Sequence, residues 1–167
     1  KTLNNSSIKK KIKKQKKEDV PFLYNVTLNS MRLHIHCLKI INKFIKKKLK
    51  DQEKVLLISA ITQIVFLNFK EYAVINCSVE IAKKLKLYPG LINATLKKIA
   101  QNKNNLREIK IHYKDLPLWF QNKSKFLSKY EKKQFLENFY KQPNIHIIFK
   151  DEEKLKKFED KLFKTSK

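Results

Sequence analysis

Lysine is the residue this chain offers most freely to a partner. In "LNNSSIKKKIKKQKK", residues 3 to 17, Lys9, Lys10, Lys11, Lys13 and Lys14 crowd together, with Ile8 and Ile12 as the one apolar pair a helical turn apart. Such a run can neutralise phosphates and release their condensed counterions, or it can be a solvated face. Lys97 and Lys98 stand side by side further along, and Arg32 is one of two arginines. These cations, Lys9, Lys10, Lys11, Lys13, Lys14, Arg32, Lys97 and Lys98, are the candidate contacts to a polyanion.

Two other groups invite a chemical reading and do not sustain it. In "HIHC", His34, His36 and Cys37 have ligand chemistry, but residues two apart on a helix point to different sides, so one ion cannot easily collect both imidazoles. They read as ordinary helix-surface residues. Cys37 and Cys77 lie far apart with no second cysteine near either, which leaves no spacing for a disulfide framework or a cysteine zinc site. Cys77 is expected to be a small apolar filler. The single glycine, Gly90, rules out a P-loop and a Gly-rich dinucleotide turn, so no nucleotide or S-adenosylmethionine pocket of the strand-turn-helix kind can be built. Neither paired carboxylates nor a Ser/His/Asp set can be recognised. The expectation is no catalytic residue, no metal and no cofactor in this chain, which should catalyse nothing alone.

Composition agrees with a binding role. Of 167 residues, 39 are Lys or Arg and 15 are Asp or Glu, a net charge of +24 that would concentrate polyanions at the surface. Part of that excess belongs to a wider skew toward Lys, Asn and Ile, which an AT-rich genome produces. Hydrophobic residues make up 42% and aromatics 11%, enough for one folded domain with an appendage. No apolar stretch reaches the roughly 20 residues needed to cross a bilayer, and the start lacks a signal-peptide plan. A soluble, cytoplasmic protein with no membrane partner is expected.

The elements that must hold these cations are helical by period. "EDVPFLYNVTLNSMRLH" opens with Asp19 as N-cap and Pro21 in the first turn, and Phe22, Val26 and Leu33, flanked by Leu23, Leu28 and Met31, form a broad apolar face. A second helix carries Ile35, Leu38, Ile41 and Ile45 and ends in "KKKLK", where the dipole favours cations. Asp51 caps "QEKVLLISAITQIVFLNF", apolar on nearly all sides and therefore a central, buried helix. "EYAVINCSVEIAKKLKL" puts Val74, Ser78, Ile81 and Leu85 on one stripe. In "LYPGLINATLKKIA", Pro89 ends that helix and starts the next, and Gly90 permits a sharp corner with a close approach. Ile92, Leu96 and Ile99 then form a buried stripe, with Lys97 and Lys98 projecting outward.

After a polar break at "QNKNN", "DLPLWFQNKSKFLSKY" has Asp115 as cap, Pro117 in the first turn, and Leu118, Trp119 and Phe126 to pack, and "EKKQFLENFY" continues the pattern. Trp119 is either a base-stacking platform or a core aromatic beneath a linker helix. "NIHIIF", residues 144 to 149, is a short β-type run, and "DEEKLKKFEDKLF" is an amphipathic helix with Leu155, Phe158 and Leu162 on one side. A lone strand needs hydrogen-bond partners, expected beyond Lys167 or on another chain.

Residues 66 to 100, "FLNFKEYAVINCSVEIAKKLKLYPGLINATLKKIA", resemble the second half of the NusB-like helical domain, most closely the version at the N-terminus of RsmB-type 16S ribosomal RNA cytosine-C5 methyltransferases. The family patterns "LL-L", "VN-AVE-AK" and "G-VNAVLR-I" are met by three sets of residues. These are Ile64 to Leu67; then Ile75, Asn76, Val79, Glu80, Ala82 and Lys83; then Gly90, Ile92, Asn93, Ala94, Leu96, Lys97 and Ile99. "LNSMRLH" is similar to the family's "GVLR" helix end, with Arg32 on its arginine. "LPLWFQNK" resembles the "PEWL" helix, and "PNIHIIFKDEEKLKKF" the strand and helix that lead to the catalytic part. The departures are Cys77 for an acidic residue after Asn76, Ile148 and Lys150 for the strand's arginine and asparagine, and a missing first helix.

The resemblance implies a mainly α chain. A NusB-like helical RNA-binding domain would span 1–104, linker helices 105–142, and one strand-helix unit of an incomplete α+β subdomain 143–167. It also implies RNA, 16S ribosomal RNA in the methyltransferase reading, as partner of the eight cations. S-adenosylmethionine would then serve a catalytic domain outside this chain. The alternative is a free-standing NusB-like antitermination or ribosome-biogenesis protein working with RNA and a small ribosomal protein. A third possibility is a basic helical scaffold.

Overall fold

A computed structural model describes residues 16–141 and 148–165, with side chains through residue 159. Among the described residues there are nine α-helices and no strand. They are α1 Val20–Arg32, α2 His34–Phe44, α3 Asp51–Ile61, α4 Glu71–Lys84, α5 Pro89–Gln101, α6 Lys103–Arg107, α7 Leu118–Lys123, α8 Lys129–Phe139 and α9 Glu152–Thr165. A π-helical turn, Thr62–Phe66, follows α3, and a 3-10 turn, Tyr113–Asp115, precedes α7.

The core forms where α3 and its π turn meet α4 and α5. Leu57, Ile61, Ile64, Ile92, Leu96 and Ile99 are fully enclosed there. Burying one such side chain contributes about 1.5–3 kcal/mol. The stripe of α5 is thus the expected one, with Lys97 and Lys98 exposed behind it. α3 is central, packed against α1, α2, α4 and α5, but it is shorter than its apolar run. At Ile61 the backbone widens into the π turn: Leu67 N–H donates to Thr62 O at 3.0 Å, and Thr62 Oγ1 donates to Ile58 O at 2.8 Å. The widened turn leaves the Val65 carbonyl for Arg107, whose Nε and Nη2 donate to it at 2.9 and 2.7 Å. α3 starts from Lys50 as N-cap rather than Asp51, and Lys50 N–H donates to Glu53 Oε2 at 2.9 Å.

Several faces are rotated from their expected phase. In α1, Val26 and the following Leu33 are buried, but Phe22, Leu28 and Met31 are about half exposed. Asp19 sits at the N-cap with Pro21 in the first turn, without a side-chain cap bond. In α2 the enclosed residues are Cys37, Ile40 and Ile41, while Ile35 and Leu38 are only partly covered. That helix stops at Phe44, so "KKKLK" is a loop, held by the buried Leu49. In α4, Val74, Ile75, Ser78 and Ala82 face inward. Cys77, Ile81 and Leu85 are exposed, so Cys77 fills no core space. Phe22, Cys77 and Ile81 instead line an open groove of about 530 Å³.

The α4–α5 corner is built without its glycine. Lys86 takes the left-handed conformation, φ 53°, and its N–H donates to Lys83 O at 3.1 Å, while Leu87 N–H reaches back to Ala82 O at 2.9 Å. That pair of bonds is a Schellman motif, sealed by the buried Leu87 and Ala82. Gly90 is exposed in the first turn of α5, and a methyl group there would meet only the Tyr88 ring at 3.7 Å, ordinary contact. Neither a sharp turn nor a close approach requires it.

Downstream, the "QNKNN" break contains most of α6, whose Leu106 is enclosed in the main core. α7 takes Pro117, not Asp115, as N-cap, and Leu118, Trp119 and Phe126 are exposed rather than packed. α8 has a reciprocal cap, with Ser128 N–H to Glu131 Oε2 at 2.7 Å and Glu131 N–H to Ser128 Oγ at 3.2 Å. Of the expected strand, residues 144–147 lie outside the described residues, and Ile148 and Phe149 are not in a strand. The strand-helix unit is therefore reduced to its helix, where Phe158 packs on Phe149 with centroids 5.3 Å apart. Leu162 lies beyond the described side chains.

Replacing Gly90 by Ala should stabilise the protein by about 0.4–1 kcal/mol, because the helical backbone tolerates Cβ and the unfolded chain loses freedom. Lys86→Gly should also stabilise, by relieving roughly 1 kcal/mol of left-handed strain. Urea unfolding measures both; a loss on Gly90→Ala would restore the corner role to glycine. Leu106→Ala should cost about 2–5 kcal/mol, and a loss under 1 kcal/mol would detach α6 from the core.

Candidate nucleic-acid interface

The end of α1 and the start of α2 face α7 and α8 across a groove of about 540 Å³. Arg32 lies on one side, with Met31 and His34; Trp119, Phe120 and Phe139 lie opposite. Arg32 Nη1 donates to Asn29 Oδ1 at 3.1 Å, and among the described residues no ion pair engages its guanidinium. The aromatics are in mutual contact. Trp119 stands edge-on to Phe120 at 5.8 Å, Phe120 stacks on Phe135 at 4.9 Å, and Phe135 meets Phe139 at 5.4 Å. Trp119 nevertheless remains 65% exposed, which removes the reading of it as a core aromatic. A guanidinium without an ion pair and an open indole lining one groove can pair with a phosphate and stack on a nucleobase.

The segment after α6 is fastened to α2 by polar groups. Lys39 Nζ donates to Lys110 O at 3.1 Å and to Asp115 Oδ2 at 2.6 Å, and His112 N–H donates to the same carboxylate at 2.8 Å. Partial burial works against ionisation of Asp115, but the Lys39 and His112 hydrogen bonds outweigh it and hold the carboxyl below its usual range. So the Asp115 chemistry expected to cap α7 instead anchors the approach to it.

The "HIHC" residues are not all on the surface. His34 is exposed in the Arg32 groove, whereas His36 and Cys37 are buried. Cys37 Sγ lies 3.5 Å from Thr62 Oγ1 and 3.8 Å from Ile58 O, and burial pushes its thiol up to about 11 despite the Thr62 contact. It is an inert thiol. His36 Nε2 donates to Ile109 O at 2.9 Å, which fixes the proton on that nitrogen. Among the described residues no group of three His, Cys, Asp or Glu side chains could hold a metal ion.

Of the candidate cations among the described residues, Arg32 alone enters the groove. Lys97 and Lys98 are exposed on α5, which packs on α3 and α4, and they do not line the groove. Lys9, Lys10, Lys11, Lys13 and Lys14 lie outside the described residues. The sequence reading missed Phe120, Phe135 and Phe139 as a connected set; the Phe135–Phe139 spacing of one helical turn was its visible signal.

Residues 1–101 match the NusB family. The chain belongs to the NusB family. The match runs to the last residue of α5, so the groove joins helices inside it, α1 and α2, to helices beyond it, α7 and α8. No curated protein and no solved structure matches the chain. Among the described residues no helix of this NusB-family chain is long and apolar enough to cross a membrane.

Burial lowers the pKa of His36 below 6.5, with the Lys39 charge adding to the effect and the Ile109 hydrogen bond opposing it. The unfolded chain therefore binds the proton more readily, so the His36 contribution is fully present above about pH 6.5 and is lost as pH falls below it. The urea midpoint should drop between pH 6.5 and 5.5, and His36→Gln should flatten that decline; an equal slope in the variant would contradict the assignment.

Proposed function

We propose that this chain binds RNA as the N-terminal, RNA-holding region of a ribosomal RNA cytosine-C5 methyltransferase. In this reading its substrate-side partner is 16S ribosomal RNA. The observation that carries the RNA reading is the Arg32 groove, lined both by a guanidinium that no ion pair engages among the described residues and by the exposed Trp119, in a NusB-family chain of net charge +24. NusB-family proteins bind RNA. The long-range field would gather the polyanion, and the groove would hold unpaired bases against its aromatics.

The methyltransferase assignment rests on the likeness of residues 66–100 and of "LPLWFQNK" to that group. S-adenosylmethionine and the attacking cysteine would belong to a separate catalytic domain, with Lys97, Lys98 and the lysines from Lys9 to Lys14 adding phosphate contacts on this one. A free-standing antitermination or ribosome-biogenesis role, with a small ribosomal protein as co-partner, is favoured by one observation: the family match covers the NusB helices alone. A reading frame that continues past Lys167 into a Gly-rich methyl-donor motif and a Pro-Cys dipeptide supports the methyltransferase; a frame without them supports the free-standing role.

Affinity for single-stranded RNA should fall steeply with salt, by about 0.7 in log–log slope per phosphate contact. Neutralising Lys9, Lys10, Lys11, Lys13 and Lys14 together should flatten that slope. Trp119→Ala should weaken binding by about 1–3 kcal/mol without lowering the melting temperature. Fluorescence anisotropy over a salt series measures these effects, and an unaltered slope and affinity in both variants would contradict the site.

A further inference from the structure

A second cavity, of about 840 Å³, opens between α2, α8 and the segment 108–113. It has three properties that nothing above uses. First, two buried polar atoms on its lining residues, His36 Nδ1 and the Tyr140 hydroxyl, have no hydrogen-bond partner among the described residues. Buried polar groups in folded proteins are nearly always satisfied, so an orphaned pair in one cavity points to something that fills it. Their chemistry is defined. His36 Nε2 spends its proton on Ile109 O, which leaves Nδ1 of the neutral ring a bare acceptor. Burial and the Asp115 charge push the Tyr140 hydroxyl up to about 12, so it keeps its proton and can donate.

Second, the cavity offers flat rings. His36 stands edge-on to Tyr140 with centroids 4.5 Å apart, and the Tyr113 ring, also on the lining, carries Lys132 Nζ 5.0 Å from its centroid. Third, the lining is cationic. Lys110, Lys129, Lys132 and Lys133 contribute four ammonium groups against the two carboxylates of Glu108 and Glu137, and Glu137 lies 4.0 Å from Lys133.

A ligand that answers all three must carry a planar ring, a donor beside an acceptor on its edge, and a phosphate. Every nucleobase places a donor next to an acceptor on its Watson–Crick edge, and single-stranded RNA joins such a base to a phosphate. We propose that this cavity takes one unstacked nucleotide of the bound RNA, with its base edge at His36 and Tyr140 and its phosphate at Lys129, Lys132 and Lys133. The proposal deepens the RNA-binding reading and rests on it. Because any base supplies the donor–acceptor pair, recognition here is of an extruded nucleotide rather than of a particular letter.

The test uses the full chain, a labelled single-stranded oligo(U), and uridine 5′-monophosphate as competitor. Tyr140→Phe keeps the ring and removes the hydroxyl. It should weaken oligo(U) binding about tenfold, the scale of one lost hydrogen bond, while the melting temperature holds or rises because an unsatisfied buried hydroxyl is gone. A merely structural tyrosine would not separate those two readouts. Paired Lys132→Gln and Lys133→Gln substitutions should lower both affinity and salt slope, and the monophosphate should displace the oligonucleotide where uridine and inorganic phosphate do so far less. Oligo(U) binding that is unchanged in Tyr140→Phe and in the lysine pair overturns the cavity assignment and leaves the RNA reading standing. No oligo(U) binding by the unaltered chain at low salt overturns both. A monophosphate that binds without competing with oligo(U) also overturns the assignment.

Discussion

A chain of 167 residues with net charge +24 can close only if its interior carries no uncompensated charge and its aliphatic contacts outweigh the repulsion outside. The contact that does this is the one between the end of α3 with its π turn and the inner face of α5. Ile61, Ile64, Ile92, Leu96 and Ile99 are all fully enclosed there. Two polar side chains admitted to that region bond within their own turn: Thr62 to Ile58 O, and Ser78 to Val74 O at 2.7 Å. Neither needs a long-range partner, so the center can be dry and the cations can stay on the rim.

Beyond α5 the means of attachment changes. To the apolar anchors of the segments that follow, Leu106, Ile111 and Leu116, are added cationic or ring donors reaching free carbonyls. Arg107 bonds Val65 O, Lys39 bonds Lys110 O, and His36 bonds Ile109 O. Hydrogen bonds from charged donors are stronger than neutral ones, but they fix direction more than they add bulk stability. Their effect is to hold α7 and α8 across from α1 and α2. That arrangement creates both the Arg32 groove and the His36 cavity, on the seam between the NusB-matched helices and the helices that follow.

How much of this was legible follows from the local rules. The stripe of α5 was readable because Ile92, Leu96 and Ile99 are its apolar residues at helical spacing, with lysines behind. The expected stripe of α2 is met at Ile41 and Ile45 but not at Ile35 and Leu38, because the segment is apolar on two overlapping stripes and period cannot tell which faces the core; Ile35 lines the Arg32 groove. Cys77 and Ile81 were placed inward for the same reason. Gly90 was given a corner that Lys86 makes, because a lysine in left-handed conformation leaves no compositional mark. Residue type favours burial for Trp119, whereas its place on α7 leaves it exposed at the rim of the Arg32 groove. The π turn was unreadable, since only Arg107, some forty residues away in sequence, satisfies the carbonyl it frees. The resemblance reached the helical body, and the family match bears out that part of it.

The central claim is that RNA is held on the seam between α1–α2 and α7–α8. Hydrogen–deuterium exchange of the chain with and without a single-stranded RNA tests it most directly. The account predicts slowed exchange in residues 108–123 and 129–140, with α4 unchanged. Protection confined to α4, or none in either seam segment at saturating RNA, would contradict it.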